Sequence, residues 1–200
     1  MKNTSPSLPL LGTFTLLLLS IFNSSVLVKA DENRSTNHIL VHDTCNKISE
    51  QKLQKVCNFE IDSDPREDLK SNLTGLLIIF ISHSINNFKE NIVFLQRELK
   101  SGKLNNETKL MFNKCLENFE RGNTDLQESL HILLTQTGID VYGLPTINID
   151  AYLDLCVLDF EGDPIPPVWQ TRYNNSWNLL SLILSMSNII KCNREASCIP

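Results

Sequence analysis

Residues 105–137 read NNETKLMFNKCLENFERGNTDLQESLHILLTQT. Apolar side chains recur at Phe112, Leu116, Phe119, Leu126, Leu130 and Leu133, with Cys115 and Leu134 on the same side. Steps of three, four and seven keep them on one face of a 3.6-residue helix. The opposite face carries Lys109, Lys114, Glu117, Asn118, Glu120, Arg121, Gln127 and Glu128. At about 1.5 Å per residue the segment predicts a helix of about 50 Å. A stripe that long must be covered by other long helices. Gly122 lies in the middle and costs about 1 kcal/mol relative to Ala, so it reads as a tolerated weak point.

Working outward, the residues on the amino-terminal side supply the first partner. A second long helix is expected from about Asp68 to Lys100. Its stripe is Leu69, Leu73, Leu77, Phe80, Ser84, Phe88, Ile92, Leu95 and Leu99, and Ile78, Ile79 and Ile81 widen it in the middle. Ser101-Gly102 ends it, and the link to the next helix is so short that the two must run antiparallel. Ser63-Asp64-Pro65 is a turn and helix-start signal ahead of it. Further upstream, residues 39–50 and 52–59 form two short amphipathic pieces around Cys45 and Cys57, a hairpin too short to hold itself without a bridge.

On the carboxyl-terminal side, residues 138–150 read GIDVYGLPTINID and predict a loop, the kind of long irregular stretch that often carries function. A third helix is expected from about Ile147 to Phe160, with Ile149, Tyr152, Leu153, Cys156 and Phe160 inward. Pro166-Pro167 predicts an extended link. A fourth helix is expected from about Thr171 to Lys191, with Tyr173, Trp177, Leu180, Leu184 and Ile190 along its face. Nothing alternates with a strand's period. Four helices behind a short hairpin predict an all-α, up-and-down four-helix bundle spanning 38–192, with residues 31–37 as a loose start and 193–200 as a tail.

The first thirty residues, MKNTSPSLPLLGTFTLLLLSIFNSSVLVKA, join a basic start at Lys2, an apolar run from Leu8 to Phe22 and a small-residue exit at Val28-Lys29-Ala30. That is the pattern of a secretory signal peptide. No later apolar run is long enough to span a bilayer, so no membrane association is expected after cleavage. Cleavage would leave 170 residues, one domain's worth. Of 18 basic groups it removes Lys2 and Lys29, leaving 16 against 23 acidic ones, a net charge of −7. Nucleic acid is therefore excluded as an expected partner, and a basic protein surface is favoured by steering. Asn33, Asn72, Asn106 and Asn174 head glycosylation sequons.

Six cysteines allow fifteen pairings. Proximity favours Cys45 with Cys57, closing a loop worth about 3 kcal/mol. Cys115 and Cys156 sit on inward faces of different helices, and pairing them would be worth about 4 kcal/mol. Cys192 and Cys198 are left near the end and could clip the tail into a ring. There is no C-x-x-C, and no histidine stands at ligand spacing to a cysteine, so no metal is expected. Catalytic patterns are equally scarce. His38, His42, His83 and His131 are scattered. The hydroxyls flanking His83 cannot face it on a helix, and no nucleophile elbow, phosphate loop or H-E-x-x-H occurs. Asp150 and Asp154 lie one helical turn apart, a pair that could run a hydrolase but reads more simply as a wet helix face.

Several ordered features now coincide. Asp43-Thr44-Cys45 opens the hairpin and Cys57 closes it. Ser63-Asp64-Pro65-Arg66 precedes Asp68-Leu69. Lys114-Cys115-Leu116-Glu117 is followed by Asp125-Leu126, and Cys156 comes about forty residues after Cys115. Thr171-Arg172-Tyr173-Asn174-Asn175 opens the last helix. In this order, over nearly the whole mature chain, the sequence resembles the plant invertase and pectin methylesterase inhibitor family. The resemblance implies a bundle stapled by Cys45–Cys57 and Cys115–Cys156. It also implies a secreted, apoplastic inhibitor that plugs the cleft of a cell-wall enzyme stoichiometrically, without a cofactor and without activity of its own. The stretch 146–154, TINIDAYLD, stands where many esterase inhibitors have a TWLSAALT-like run, and a PKF-like tripeptide associated with invertase recognition is absent. Pectin methylesterase is the first expected target and acid invertase the second. Gln127, Asn148, Asp150, Asp154 and the loop around Tyr142 are the expected contact residues. A secreted four-helix binding or signalling protein without inhibitory action is the alternative.

Overall fold

The computed structural model describes residues 38–137, 140–158 and 166–195. The segment that organised the sequence is one continuous helix, Asn106–Thr135, here α4. Asn105 caps it, its side-chain oxygen accepting the Thr108 N–H at 2.7 Å and so satisfying one of the otherwise unpartnered first-turn donors. The buried line runs through Met111, Phe112, Cys115, Phe119, Gly122, Leu126, Ser129 and Leu133. Leu134, expected on this line, is instead 63% exposed: it stands about 100° around the helix from Leu133.

Gly122 is not a weak point. A Cβ at this position would meet Cε1 of Phe88 at 2.7 Å and Cγ2 of Ile149 at 3.2 Å. The missing side chain lets two neighbouring elements close on α4, and the helix continues unbroken through it.

The partner helix α3 spans Leu73–Lys100. It begins later than expected, because residues Leu69–Ser71 form a separate 3-10 turn and Asn72 is the cap, accepting the Gly75 N–H at 2.8 Å. The carbonyl of Leu69 lies so close over Gly75 that any Cβ there would collide with it. At the far end Gly102 takes a left-handed φ of 69°, which only glycine adopts freely. This tight reversal sends α4 back along α3. Phe88 and Phe119 meet across the pair at 4.7 Å.

Two further helices complete the bundle. The expected loop before the third is mostly a pair of 3-10 turns, Val141–Gly143 and Pro145–Asn148, and α5 follows as Ile149–Leu158. Ile149, Leu153 and Cys156 are buried, and Tyr152 is half-buried. Phe160 lies outside the described residues.

The last helix, α6, spans Pro167–Glu195, four residues longer at each end than expected. Pro167 starts it rather than preceding it, as proline at the first helical position removes an N–H that has no helical partner. The Pro166 carbonyl accepts the N–H groups of Trp169 and Gln170 at 2.8 and 3.0 Å. Trp169 is thereby delivered into the core, fully buried among Phe94, Phe112 and Phe119 with centroid distances of 5.5–5.9 Å. The inward face of α6 is Trp169, Ser176, Leu180, Ile183 and Ile190; Trp177, expected inward, is 37% exposed at the edge and stacks on Tyr173. Leu184 is half-buried.

Ahead of the bundle, a helix over 38–46 (α1) and α2, Gln51–Ser63, form the hairpin. Cys45–Cys57 closes it with Cα atoms 5.7 Å apart, and Cys115–Cys156 ties α4 to α5 at 4.7 Å. Cys192 is disulfide-bonded, while its expected partner Cys198 lies outside the described residues. The fold is all-α: a hairpin and a four-helix bundle, with no strand among the described residues. No helix there is long and apolar enough to cross a membrane. The signal peptide over 1–30, the loose segment 31–37 and the sequon at Asn33 also lie outside the described residues.

Candidate protein-binding surface

The expected contact residues fall on α4, the 3-10 turn and α5. Asn148 is exposed at the end of its turn, Asp150 is half-buried in the first turn of α5, and Asp154 is exposed one turn later. The Asp150 carboxylate accepts the Ala151 N–H at 2.8 Å, a favourable place for negative charge at a helix start. Two contacts register this segment on α4. The Thr146 N–H donates to the Ser129 hydroxyl at 3.1 Å, and Ile149 sits over Gly122. Gln127 is exposed on that same stretch of α4. Asn148, Asp150 and Asp154 therefore share one segment packed on α4 and stapled by Cys115–Cys156, whereas Gln127, about 150° around α4 from Gly122 and Ser129, faces away from that segment. The side chain of Tyr142 lies outside the described residues. Asp154 also reaches toward α6: burial pushes the Tyr173 phenol above its ordinary range, and the Asp154 charge adds to the effect.

The three described sequon asparagines are all exposed. Asn72 is the α3 cap, Asn106 opens α4, and Asn174 lies on α6, accepting from the Gln170 amide at 3.0 Å. The hydroxyl of the third sequon's Ser176 is fully buried and donates to Asn87 Oδ1 at 2.6 Å. Buried Asn91 donates to the same hydroxyl at 2.8 Å, and the Arg172 guanidinium donates to Asn91 Oδ1 while lying over the Phe94 ring. This polar seam between α3 and α6 was not legible from helical periodicity.

A second unforeseen cluster joins the hairpin to α3. Asp64 is 3% exposed and receives a forked contact from Arg66, with Nε at 2.9 Å from Oδ1. The Arg66 side-chain hydrogen bonds, with help from its backbone N–H and charge and from His83, hold the Asp64 carboxyl down to about 2. The guanidinium is raised in turn by the same carboxylate. His83 places Nδ1 at 2.6 Å from Glu60 and Nε2 at 3.1 Å from Asp64, and the bond to Glu60 is the main reason its imidazole is raised above the ordinary range. The sequence signal was there: Glu60 and Asp64 stand one turn apart at the end of an amphipathic segment. The other three histidines are exposed.

Among the described residues no group of three His, Cys, Asp or Glu side chains is arranged to hold a metal ion. A cleft of about 390 Å³ between α2, α3 and α6 is lined by Lys55, Phe59, Glu60, Asn87, Asn175 and Asn178. It contains no hydroxyl or thiol nucleophile.

Compared with solved structures, the chain superposes on a mutant form of a pectin methylesterase inhibitor from Arabidopsis with a TM-score of 0.60 at 19% identity, covering 72% of this chain and 92% of that one. It is the same fold. A pectin methylesterase inhibitor from Arabidopsis thaliana gives a TM-score of 0.52 at 18% identity, over 74% of this chain and 93% of that one. No protein-family model and no curated protein matches the sequence. The hairpin-plus-bundle architecture implied by the family resemblance is thus present at an identity where side-chain identity carries little of the likeness.

Proposed function

We propose that the chain is a secreted inhibitor of a cell-wall carbohydrate-active enzyme, with pectin methylesterase as the first target and acid invertase the second. It acts by occluding the enzyme's cleft in a stoichiometric complex. The observation that carries this reading is the likeness to two solved pectin methylesterase inhibitors over more than nine-tenths of their length. Two disulfides within the described fold favour an oxidising, extracellular setting. A bundle stapled this way loses little freedom on binding, which favours affinity for a rigid cleft. The end of the α4–α5 pair bearing Asn148, Asp150 and Asp154 is the proposed contact surface, and the net negative charge favours a basic partner.

The test is titration of the refolded, disulfide-bonded protein against a pectin methylesterase and an acid invertase. Saturating loss of activity at about one equivalent supports inhibition and names the target. Binding without loss of activity would instead make the chain a non-inhibitory binding protein on the same scaffold. Turnover of a glycan substrate by the chain alone would overturn the reading.

A further inference from the structure

The hairpin is held to the bundle by neither disulfide. Cys45–Cys57 closes within it, and Cys115–Cys156 joins α4 to α5. Its second helix, α2, buries only Leu53, Cys57 and Ile61, while Phe59 is 68% exposed. With Val41, Cys45 and Ile48 from the first half of the hairpin, and Val56 partly covered, this apolar footing is continuous with the core but is not stapled to it. The end of α2 is also electrostatically awkward. Glu60 and Asp62 lie in its last turn, where the helix dipole disfavours carboxylates, and no basic residue stands in that turn.

His83 of α3 meets this end. Both ring nitrogens face carboxylates, Nδ1 toward Glu60 and Nε2 toward Asp64. A neutral imidazole has one N–H, so each of its tautomers leaves a ring lone pair against a carboxylate; only the imidazolium donates to both. The charges acting on the ring are those two carboxylates. Arg66 from the turn is spent on Asp64 and also reaches the Ser82 hydroxyl at 3.4 Å, and Asp68 acts on Arg66.

We propose that His83 is a proton-operated clasp: its charged form pins the 38–63 hairpin onto the bundle, and loss of its proton loosens that hairpin while the stapled bundle stays folded. The sign follows from the raised imidazole. The clasp is complete below the ordinary histidine range of about 6.5 and is lost as pH rises through the higher, docked value. Between those two values the ratio of docked to undocked hairpin falls about tenfold per pH unit. The hairpin is then docked in acidic surroundings and loosened in alkaline ones, uncovering the faces of α3 and α6 beneath α2.

Hydrogen exchange on the full disulfide-bonded chain, corrected for intrinsic rates, reads this directly between about pH 5 and about pH 8. Protection of α2 amides should fall relative to α4 as pH rises, by a factor set by the distance between the docked His83 titration and about 6.5. In His83→Gln it should be low and flat with pH. The ring titration of His83, followed by NMR in the unmodified chain, should lie above 6.5 and drop in Glu60→Gln, which keeps the proposal testable even if His83→Gln does not fold. An α2 protection that tracks α4 throughout, or a His83 ring titrating at or below 6.5, overturns it.

Discussion

Substituting Gly122 by Ala sets two physical effects against each other with opposite signs. Helix propensity alone predicts a gain of about 1 kcal/mol, because Gly122 is interior to a continuous helix. Packing predicts a loss. The new methyl would stand 2.7 Å from the Phe88 ring and 3.2 Å from Ile149. Neither neighbour can give way easily, since both are fully buried and Phe88 is backed by the buried Phe119 ring at 4.7 Å. Overpacking of this kind costs about 1–3 kcal/mol. The balance is a net destabilisation of about 1 kcal/mol, or a fall in Tm of roughly 2–4 °C for a domain of this size. Gly122→Val adds bulk without the propensity gain and should cost about 3 kcal/mol. Urea denaturation under non-reducing conditions measures both. A Gly122→Ala protein as stable as the parent, or more so, would refute the close approach of α3 and α5 to α4.

Three other outcomes follow from the same structure. Replacing Cys115 and Cys156 together by Ala should lower stability by about 4 kcal/mol, the chain-entropy value for a loop of 41 residues; an unchanged urea midpoint would mean that the staple constrains nothing. Asp64, held down to about 2 from an ordinary 3.8, stabilises the fold above the ordinary value and loses that contribution as pH falls toward 2. Asp64→Asn should therefore cost about 2 kcal/mol at neutral pH and flatten acid unfolding between about pH 4 and about pH 2, followed by circular dichroism; an unchanged acid limb counts against it. If the α4–α5 end is the contact surface, Asp150→Lys with Asp154→Lys should slow association with a basic target about tenfold and reduce its salt dependence, read by stopped flow, while loss of the Asp150 carboxylate at the start of α5 costs about 1 kcal/mol of stability.

The bundle was legible because helical periodicity reports which residues face inward. Phe112, Cys115, Phe119 and Leu126 are all buried as their spacing requires. What periodicity cannot report is what stands opposite. Gly122 looked like a defect because propensity is local, whereas Phe88 is contributed by another helix. Trp169 was assigned to an extended link because a proline pair reads as a stop, although proline blocks a helix only on its amino-terminal side. His83 looked idle because its partners lie 23 and 19 residues upstream. The contact surface is a different case. Gln127, Asn148, Asp150 and Asp154 are polar residues on outward faces, and nothing in their spacing separates them from any other wet face. Their selection rests on the family resemblance.

Register is the remaining quantity that an apolar stripe leaves undetermined. Leu- and Ile-rich faces such as those of α3 and α6 can slide by a turn with little change in buried area. The buried seam removes that freedom. Asn91, fully buried on α3, donates to Ser176 on α6, and Ser176 donates back to Asn87 one turn away. A one-turn slip would carry Ser176 past both amides, break both interhelical bonds and leave Asn91 Nδ2 only its longer in-helix bond to Asn87 Oδ1 at 3.2 Å, at about 1–3 kcal/mol for each stranded group. The close approach of Phe88 and Ile149 to Gly122, with no room for a Cβ, and the Cys115–Cys156 link impose the same condition on α4 against α3 and α5. The hairpin has no covalent or buried-amide lock of this kind: Val41, Cys45, Ile48, Leu53, Cys57 and Ile61 seat it by apolar contact, and the directional contacts at its end are those of His83 with Glu60 and Asp64. If His83 is the proposed clasp, the hairpin is the element whose placement should answer most to pH.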